Sequence, residues 1–131
     1  MNIYIIIAIL IIHWIADFVL QTEKQAKGKS KNWKDLLNHT YTYSMVWYGL
    51  LPFYVIFFTN NYIQWTGTYF VLITFICHTI TDYFTSRITS KKYQNNHFYG
   101  FNSFWFWIGF DQIVHLTQLF LTYKLLTNGS I

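Results

Sequence analysis

The chain has 131 residues, of which 53% are hydrophobic and 23% are aromatic, and its formal net charge at pH 7 is +4. This composition is far from that of an average soluble domain. The only cysteine, Cys77, excludes an intramolecular disulfide and argues against a cysteine-rich zinc knuckle or an iron–sulfur cluster. We therefore predict a single membrane domain over residues 1–131.

Four apolar runs are each long enough to span a bilayer as a helix of about 20 residues. They lie near 3–21, 36–58, 65–86 and 104–125. The first run has no basic n-region and no small-residue cleavage site, so we expect it to be retained as a helix. No alternating pattern typical of a barrel is visible. The sequence predicts an all-α, polytopic membrane protein, a four-transmembrane-helix bundle.

The basic residues predict the orientation of this bundle. Five lysines lie in the connection 22–35, and Arg87, Lys91 and Lys92 lie in the connection 87–103. The positive-inside rule places both connections in the cytoplasm and both termini outside. We prefer this topogenic role for the lysines over the binding of anionic lipid, and we predict no nucleic acid partner.

Histidine and aspartate recur at a spacing of four residues in three of the runs. The pairs are His13–Asp17, His78–Asp82 and Asp111–His115. This spacing keeps each pair on one face of a helix. The last run crosses in the opposite direction and its pair has the reversed order, so all three aspartates are predicted nearer the cytoplasm than their histidines. Ionisable residues are costly inside a membrane, and such residues usually mark a functional site.

The second run adds His39 at the predicted depth of the aspartates. Imidazole nitrogens together with carboxylate oxygens suit Zn, Mn or Fe. We therefore predict a divalent metal site near the cytoplasmic face, with ligands His13, Asp17, His39, His78, Asp82, Asp111 and His115. Polar residues near these ligands are predicted to be their hydrogen-bond partners, namely Gln21, Ser86 and Gln112.

Four ordered strings carry a resemblance to a known family. HWIADFVLQT, KSKNWKDLLNHT, HTITDYFTSR and IGFDQIVHLTQLFLTY resemble the domain-of-unknown-function family 3307, which contains small integral membrane proteins of bacteria and their phages. The resemblance covers nearly the whole chain. It implies a bacterial cytoplasmic (inner) membrane location with the lipid bilayer as partner, and it implies no activity. In motif style alone, the chain is also similar to inner-membrane metal-dependent hydrolases.

These residues favour a metal-dependent hydrolase of a phosphate-containing or lipid substrate at the cytoplasmic face. A metal lowers the pKa of bound water and neutralises charge on a leaving oxygen. An uncoordinated aspartate, Asp17 or Asp82, is the predicted general base. Arg87 is a candidate phosphate contact, although we prefer a topogenic role for this residue.

Two further function classes stay open. A proton or divalent-metal transporter would use the same polar core, although the outer halves of the predicted helices have no ionisable carboxylate. A small membrane module would act by protein–protein binding, for instance as a phage-encoded factor that alters the host envelope, with the metal in a structural role. A bundle of this size could also form a homo-oligomer.

Overall fold

The computed structural model describes residues 3–50 and 63–128. Within these residues the regular elements are helices. In chain order they are α1 (Ile3–Trp14), a π-helical turn (Ile15–Val19), α2 (Glu23–Gly28), α3 (Trp33–Gly49), α4 (Ile63–Gln94) and α5 (Phe104–Asn128).

The π-helical turn continues α1 and determines where the first aspartate lies. The backbone N–H of Leu20 donates to the carbonyl of Ile15 at 3.0 Å, five residues back rather than four. A turn with this extra residue is rare, and such turns are frequent at functional sites. It buries Ala16 and Asp17 and leaves Phe18 and Val19 exposed. The first predicted run, 3–21, is therefore not one regular helix.

The basic connection between the first and second runs has its own structure. Thr22 and Gln25 form a reciprocal capping box, which starts α2. The side chain of Asn32 accepts a hydrogen bond from the backbone N–H of Asp35 at 2.8 Å and starts α3. Gly28 packs against Asp35, where an added Cβ would lie 2.0 Å from the carboxylate oxygen. The connection is therefore folded against the helices.

The two long helices α4 and α5 are antiparallel neighbours. Asp82 lies close to His115, whereas Tyr93, later on α4, contacts Phe104, earlier on α5. Helix α3 packs on the same part of α4, because the Tyr43 ring stacks on His78 with centroids 3.9 Å apart. The apolar core beside this contact consists of Ile9, Ala16, Tyr43, Trp47, Phe70, Val71, Leu119 and Tyr123. A layer of buried polar side chains therefore adjoins the apolar core.

The membrane part of the prediction is wrong. Across residues 3–50 and 63–128, no helix has both the length and the apolar character needed to cross a membrane. This finding contradicts the polytopic, four-transmembrane-helix bundle with both termini outside, and it contradicts the integral location in a bacterial cytoplasmic membrane.

The physical reason lies in the length and composition of the runs. Helix α1 has 12 residues and α3 has 17, both fewer than the roughly 20 that span a bilayer. Helices α4 and α5 are longer, with 32 and 25 residues, but Tyr, Trp, Thr and buried ionisable residues keep their mean hydropathy low. The many aromatic residues in these runs led us to overestimate their hydropathy.

The element bounds also differ from the predicted runs. Helix α4 continues to Gln94, so Arg87, Lys91 and Lys92 lie on a helix rather than in the connection 87–103. The part of the second run that covers 51–58 lies outside the described residues.

Candidate metal centre and cleft

Six of the seven predicted metal ligands come together in one buried cluster. The π-helical turn contributes one residue, α3 one, and α4 and α5 two each. The six residues, which we call the His/Asp cluster, are Asp17, His39, His78, Asp82, Asp111 and His115. The Asp111 side chain is 13% exposed, and the other five are at most 3% exposed.

One half of the His/Asp cluster lies between α3 and α4. His39 Nε2 lies 3.1 Å from Asp17 Oδ1 and 3.1 Å from Asp82 Oδ2. His78 Nε2 lies 3.7 and 3.6 Å from the same two oxygens, and 3.2 Å from His39 Nε2. Two imidazole nitrogens and two carboxylate oxygens therefore face a common point.

The other half lies between α4 and α5. His115 Nε2 lies 3.4 Å from Asp82 Oδ1 and 3.3 Å from Asp111 Oδ1. The His115 ring stacks on His78 with centroids 4.0 Å apart. Asp82 thus offers one carboxylate oxygen to each half of the cluster.

Several atoms of the cluster have close neighbours but no hydrogen bond. In the part of the chain that the structure describes, this holds for Asp17 Oδ1, Asp82 Oδ1 and His115 Nε2. A buried polar atom without a partner costs free energy and calls for an explanation. Nitrogen and oxygen atoms that converge at 3 to 4 Å without hydrogen-bond geometry suit ligation of a cation. The buried histidine and aspartate groups are compatible with a divalent metal. They form three sets of three residues, and within each set the ligand atoms lie within 4.8 Å of one another.

The histidines of the cluster differ in their affinity for protons. Burial disfavours the charged form of His115, but the contacts with Asp111 and Asp82 outweigh it and raise its pKa to about 10. Burial also opposes the charged form of His39, whose pKa is nevertheless raised by Asp17 and Asp82. The pKa of His78 lies well below its ordinary value because of burial and the nearby His115. These neighbours therefore favour the protonated forms of His39 and His115, whereas burial favours the neutral form of His78.

A lysine completes the charge balance of the cluster. Lys29 Nζ donates to Asp82 Oδ2 at 2.9 Å, and its side chain is only 16% exposed. Burial opposes the charged forms, but attraction to Lys29 and the histidines holds the pKa of Asp82 well below its usual range. Lys29 thus places a positive charge beside the three carboxylates of the cluster, and the tendency of His39 and His115 to hold a proton adds to it.

Sequence reasoning missed Lys29, which it treated as one of five topogenic lysines. The local signal was present, because Thr22 and Gln25 at a spacing of three predict a capping box and hence a folded connection. Gly28 then allows the close approach to α3 that brings Lys29 under the cluster. Nothing in the spacing from Lys29 to Asp82 predicts their contact.

The seventh predicted ligand, His13, lies beside the cluster with both ring nitrogens engaged. Its Nε2 lies 2.8 Å from Gln112 Oε1, and its Nδ1 lies 2.8 Å from the Tyr43 hydroxyl. Gln112 Nε2 in turn donates to Asp17 Oδ2 at 3.0 Å and to Asp111 Oδ2 at 3.1 Å. His13 is thus placed to orient the Gln112 amide, which holds two of the carboxylates.

The remaining predicted site residues have three different positions. Gln21 Nε2 lies 3.0 Å from His39 Nδ1 and fixes the orientation of that ring. The Ser86 hydroxyl is buried and has no hydrogen-bond partner among the described residues. Arg87 donates to the carbonyl of Tyr83, and its guanidinium carbon lies 3.7 Å from the centroid of that ring. Arg87 is not among the residues that line the cleft described next.

The cluster lies at the inner end of a cleft of about 590 Å³. One wall is a face of α4 that carries hydroxyl groups after Asp82, and the opposite wall is a face of α5. Lysines from the folded connection complete the rim. Helix α4 lines the cleft with Asp82, Thr85, Ser86, Thr89, Ser90, Tyr93 and Gln94. Helix α5 contributes Phe104, Ile108, Asp111 and Gln112, and the folded connection contributes Lys27, Lys29, Ser30 and Lys31. A cleft of this volume is of the usual size for a small-molecule site.

Comparison with known proteins identifies a family and no individual relative. No curated protein and no solved structure matches the chain. The model of the family described as Protein of unknown function (DUF3307) matches residues 5–131, which confirms the resemblance carried by the four sequence strings. The chain therefore belongs to the DUF3307 family.

Proposed function

We propose that this protein is a divalent-metal-dependent hydrolase that acts on a phosphate ester bound in the cleft. The observation that carries the proposal is the position of the His/Asp cluster at the inner end of a cleft whose rim is basic. The cluster supplies ligands for a cation, and the lysines supply charge for an anion. Both features adjoin one cavity.

The donor set favours Zn, Mn or Fe among divalent metals. The cluster offers imidazole nitrogens from His78, His39 and His115, and a nitrogen of His39 or His115 that carries a proton must lose it before it binds a metal. Carboxylate oxygens provide the remaining ligands, and mixed nitrogen and oxygen sets of this kind suit these three metals. When bound, a metal would activate water and neutralise charge on a leaving oxygen.

Asp17 is the better candidate for the general base. Asp82 is held by Lys29 and by three histidines, so its oxygens have little freedom to accept a further proton. Asp17 lines the cleft, and its Oδ1 lies 3.1 Å from His39 Nε2 and 3.7 Å from His78 Nε2. One hydrogen bond, from Gln112 Nε2 to Asp17 Oδ2, fixes the orientation of the carboxylate.

Lys29 and Lys31 are the proposed anion-binding groups. Lys29 Nζ is fixed at the cluster by Asp82, and Lys31 lies on the exposed rim of the same cleft. A substrate phosphate at the inner end would meet Lys29 first. This assigns the lysines a binding role in place of the topogenic one, and it leaves Arg87 on its Tyr83 ring outside the cleft.

Hydrolysis of p-nitrophenyl phosphate by purified protein supplied with Zn, Mn or Fe tests the proposal. We expect turnover with at least one metal, and a loss of 100-fold or more in kcat per bound metal ion for Asp17→Asn. His97→Ala is the matched control, because His97 is exposed in the connection after α4. A protein that binds metal but hydrolyses none of a panel of phosphate esters, and that loses only stability on substitution of the cluster, would instead be a binding module with a structural metal.

A further inference from the structure

The two facing walls of the cleft change in polarity from one end to the other. On α4, Asp82 is followed at helical spacing by hydroxyl residues and then by Tyr93. On α5, read from the cluster outward, Asp111 and Gln112 are followed by Ile108 and then by Phe104. With a rise of about 1.5 Å per residue, the α4 wall extends roughly 18 Å from Asp82 to the end of the helix. The cleft is polar at the inner end and aromatic at the outer end.

The outer end is an assembled aromatic wall. The rings of Tyr93 and Phe104 have centroids 5.5 Å apart, and Phe98 packs against both at 5.7 and 5.8 Å. Ile108 lies one turn of α5 closer to the cluster and also lines the cleft. This surface offers contact with an apolar group and few hydrogen bonds. A substrate of phosphate alone would not use it.

Ser86 marks the transition between the two ends. Its hydroxyl is buried against the cleft and has no hydrogen-bond partner within the described residues. The neighbouring hydroxyls of Thr85 and Thr89 donate to the backbone carbonyls four residues back, at 2.9 and 2.7 Å, whereas that of Ser86 does not. A buried hydroxyl left without a partner on a cleft wall is ready to bind a polar ligand atom.

From this gradient we infer that the substrate is an amphiphilic phosphate ester, with its phosphate between the His/Asp cluster, Lys29 and Ser86 and its apolar group along Ile108 and Phe104. That the ligand is a substrate rests on the proposed function. That the ligand is an amphiphilic phosphate ester is inferred from the cleft alone. An aliphatic chain and an aromatic ring share the required chemistry, and both fit an apolar wall of this kind.

Calorimetric titration of the full-length protein, with its metal as isolated, tests this inference with methyl, butyl, hexyl and phenyl phosphate as probes. Across the series from methyl to hexyl phosphate, each added methylene that becomes buried should lower the dissociation constant by a further factor of roughly three. Phenyl phosphate that binds more tightly than hexyl phosphate would assign the wall to an aromatic group, and the reverse order would assign it to an aliphatic chain.

Two variants separate the ends of the ligand. Ile108→Ser should weaken hexyl phosphate by about tenfold and leave methyl phosphate nearly unchanged. The matched control is Ile113→Ser on the same helix, because Ile113 is 64% exposed and does not line the cleft. Ser86→Ala should weaken every probe by a similar factor, roughly threefold to tenfold, because all share the phosphate.

Equal affinity for all chain lengths, or an equal effect of Ile108→Ser and Ile113→Ser, would overturn the inference. Binding and turnover distinguish it from the proposed function. Binding that depends on chain length, without hydrolysis, would contradict the proposed hydrolase and support the ligand class. Hydrolysis without dependence on chain length would support the hydrolase and contradict the ligand class.

Discussion

The inner and outer ends of the cleft are built in opposite ways. The inner end joins the His/Asp cluster from four separate parts of the chain, and ion pairs and hydrogen bonds with charged or polar neighbours position its side chains. The outer end consists of one face of α4 and one face of α5, and its residues follow from helix periodicity alone. The comparison teaches that substitutions at the inner end should affect the whole fold, whereas those at the outer end should affect only ligand binding.

The largest effect is expected at Asp82, because Asp82→Asn removes the charge that faces Lys29 and three histidines. A buried cation left without its partner costs about 3–5 kcal/mol in the free energy of unfolding. Urea unfolding of metal-free protein measures the loss. Glu23→Gln is the control, because that carboxylate pairs with Lys27 on the surface, and its unfolding midpoint should not change. An Asp82→Asn protein as stable as wild type would show that the inner end is not held together by charge.

Gly28→Ala should have the next largest effect. The new Cβ would lie 2.0 Å from Asp35 Oδ2, so the connection must move and take Lys29 with it. We expect a loss of about 1–3 kcal/mol in the free energy of unfolding. Gly49→Ala is the matched control, because nothing lies within 4 Å of a Cβ there. Equal stability of the two variants would contradict the folded position of the connection.

The stability that the inner end provides should also depend on pH. The pKa of His115 is raised to about 10, so the stability that its charge provides is complete below the ordinary pKa of 6.5 and is lost as the pH rises toward 10. Asp82, with a lowered pKa, contributes stability above about pH 4 and loses it only in acid. The urea concentration at the unfolding midpoint of metal-free protein should therefore decrease as the pH is raised from 7 to 10.

His115→Gln isolates this contribution, and its unfolding midpoint should change less over the same range. Measurements at fixed ionic strength are the appropriate test. A midpoint that rises from pH 7 to pH 10 in metal-free wild type would contradict the assignment of a proton to His115.

The smallest effect is expected at Arg87. Arg87→Gln removes a guanidinium that lies over the Tyr83 ring and so should cost about 0.5–1 kcal/mol in unfolding free energy. The affinity for methyl phosphate should not change, because Arg87 does not line the cleft. Titration of this variant beside Lys29→Gln compares the two cations, and a loss of phosphate affinity at Arg87 equal to that at Lys29 would contradict the placement of the anion site.

The sequence predicted the inner end better than its surroundings. His–Asp pairs at a spacing of four are local, so helix geometry alone brings the members of each pair to one face, and the structure brings six of the seven predicted ligands together. His13 was predicted as a ligand but lies against Gln112 and Tyr43, a difference set by tertiary contacts that no spacing encodes. The π-helical turn at Asp17 likewise has no visible signal in the sequence.

The environment of the helices was the main error. The runs were treated as apolar stretches of spanning length, although they contain many Tyr, Trp and Thr residues, whose hydropathy is much lower than that of Ile or Leu. Aromatic residues instead build the stacks that surround the cluster, such as Tyr43 on His78, and the wall at the outer end of the cleft. Lys29 was missed because its contact with Asp82 joins residues far apart in the chain.

The most direct test of the central claim is the metal content of purified full-length protein that has never met a chelator, measured by mass spectrometry beside the His78→Ala, Asp82→Asn and His97→Ala variants. We predict one or two equivalents of Zn, Mn or Fe in wild type and in His97→Ala, and a loss of metal in the two cluster variants while they remain folded. Absence of stoichiometric metal from wild type, or equal metal in all four proteins, would contradict a metal centre at the His/Asp cluster.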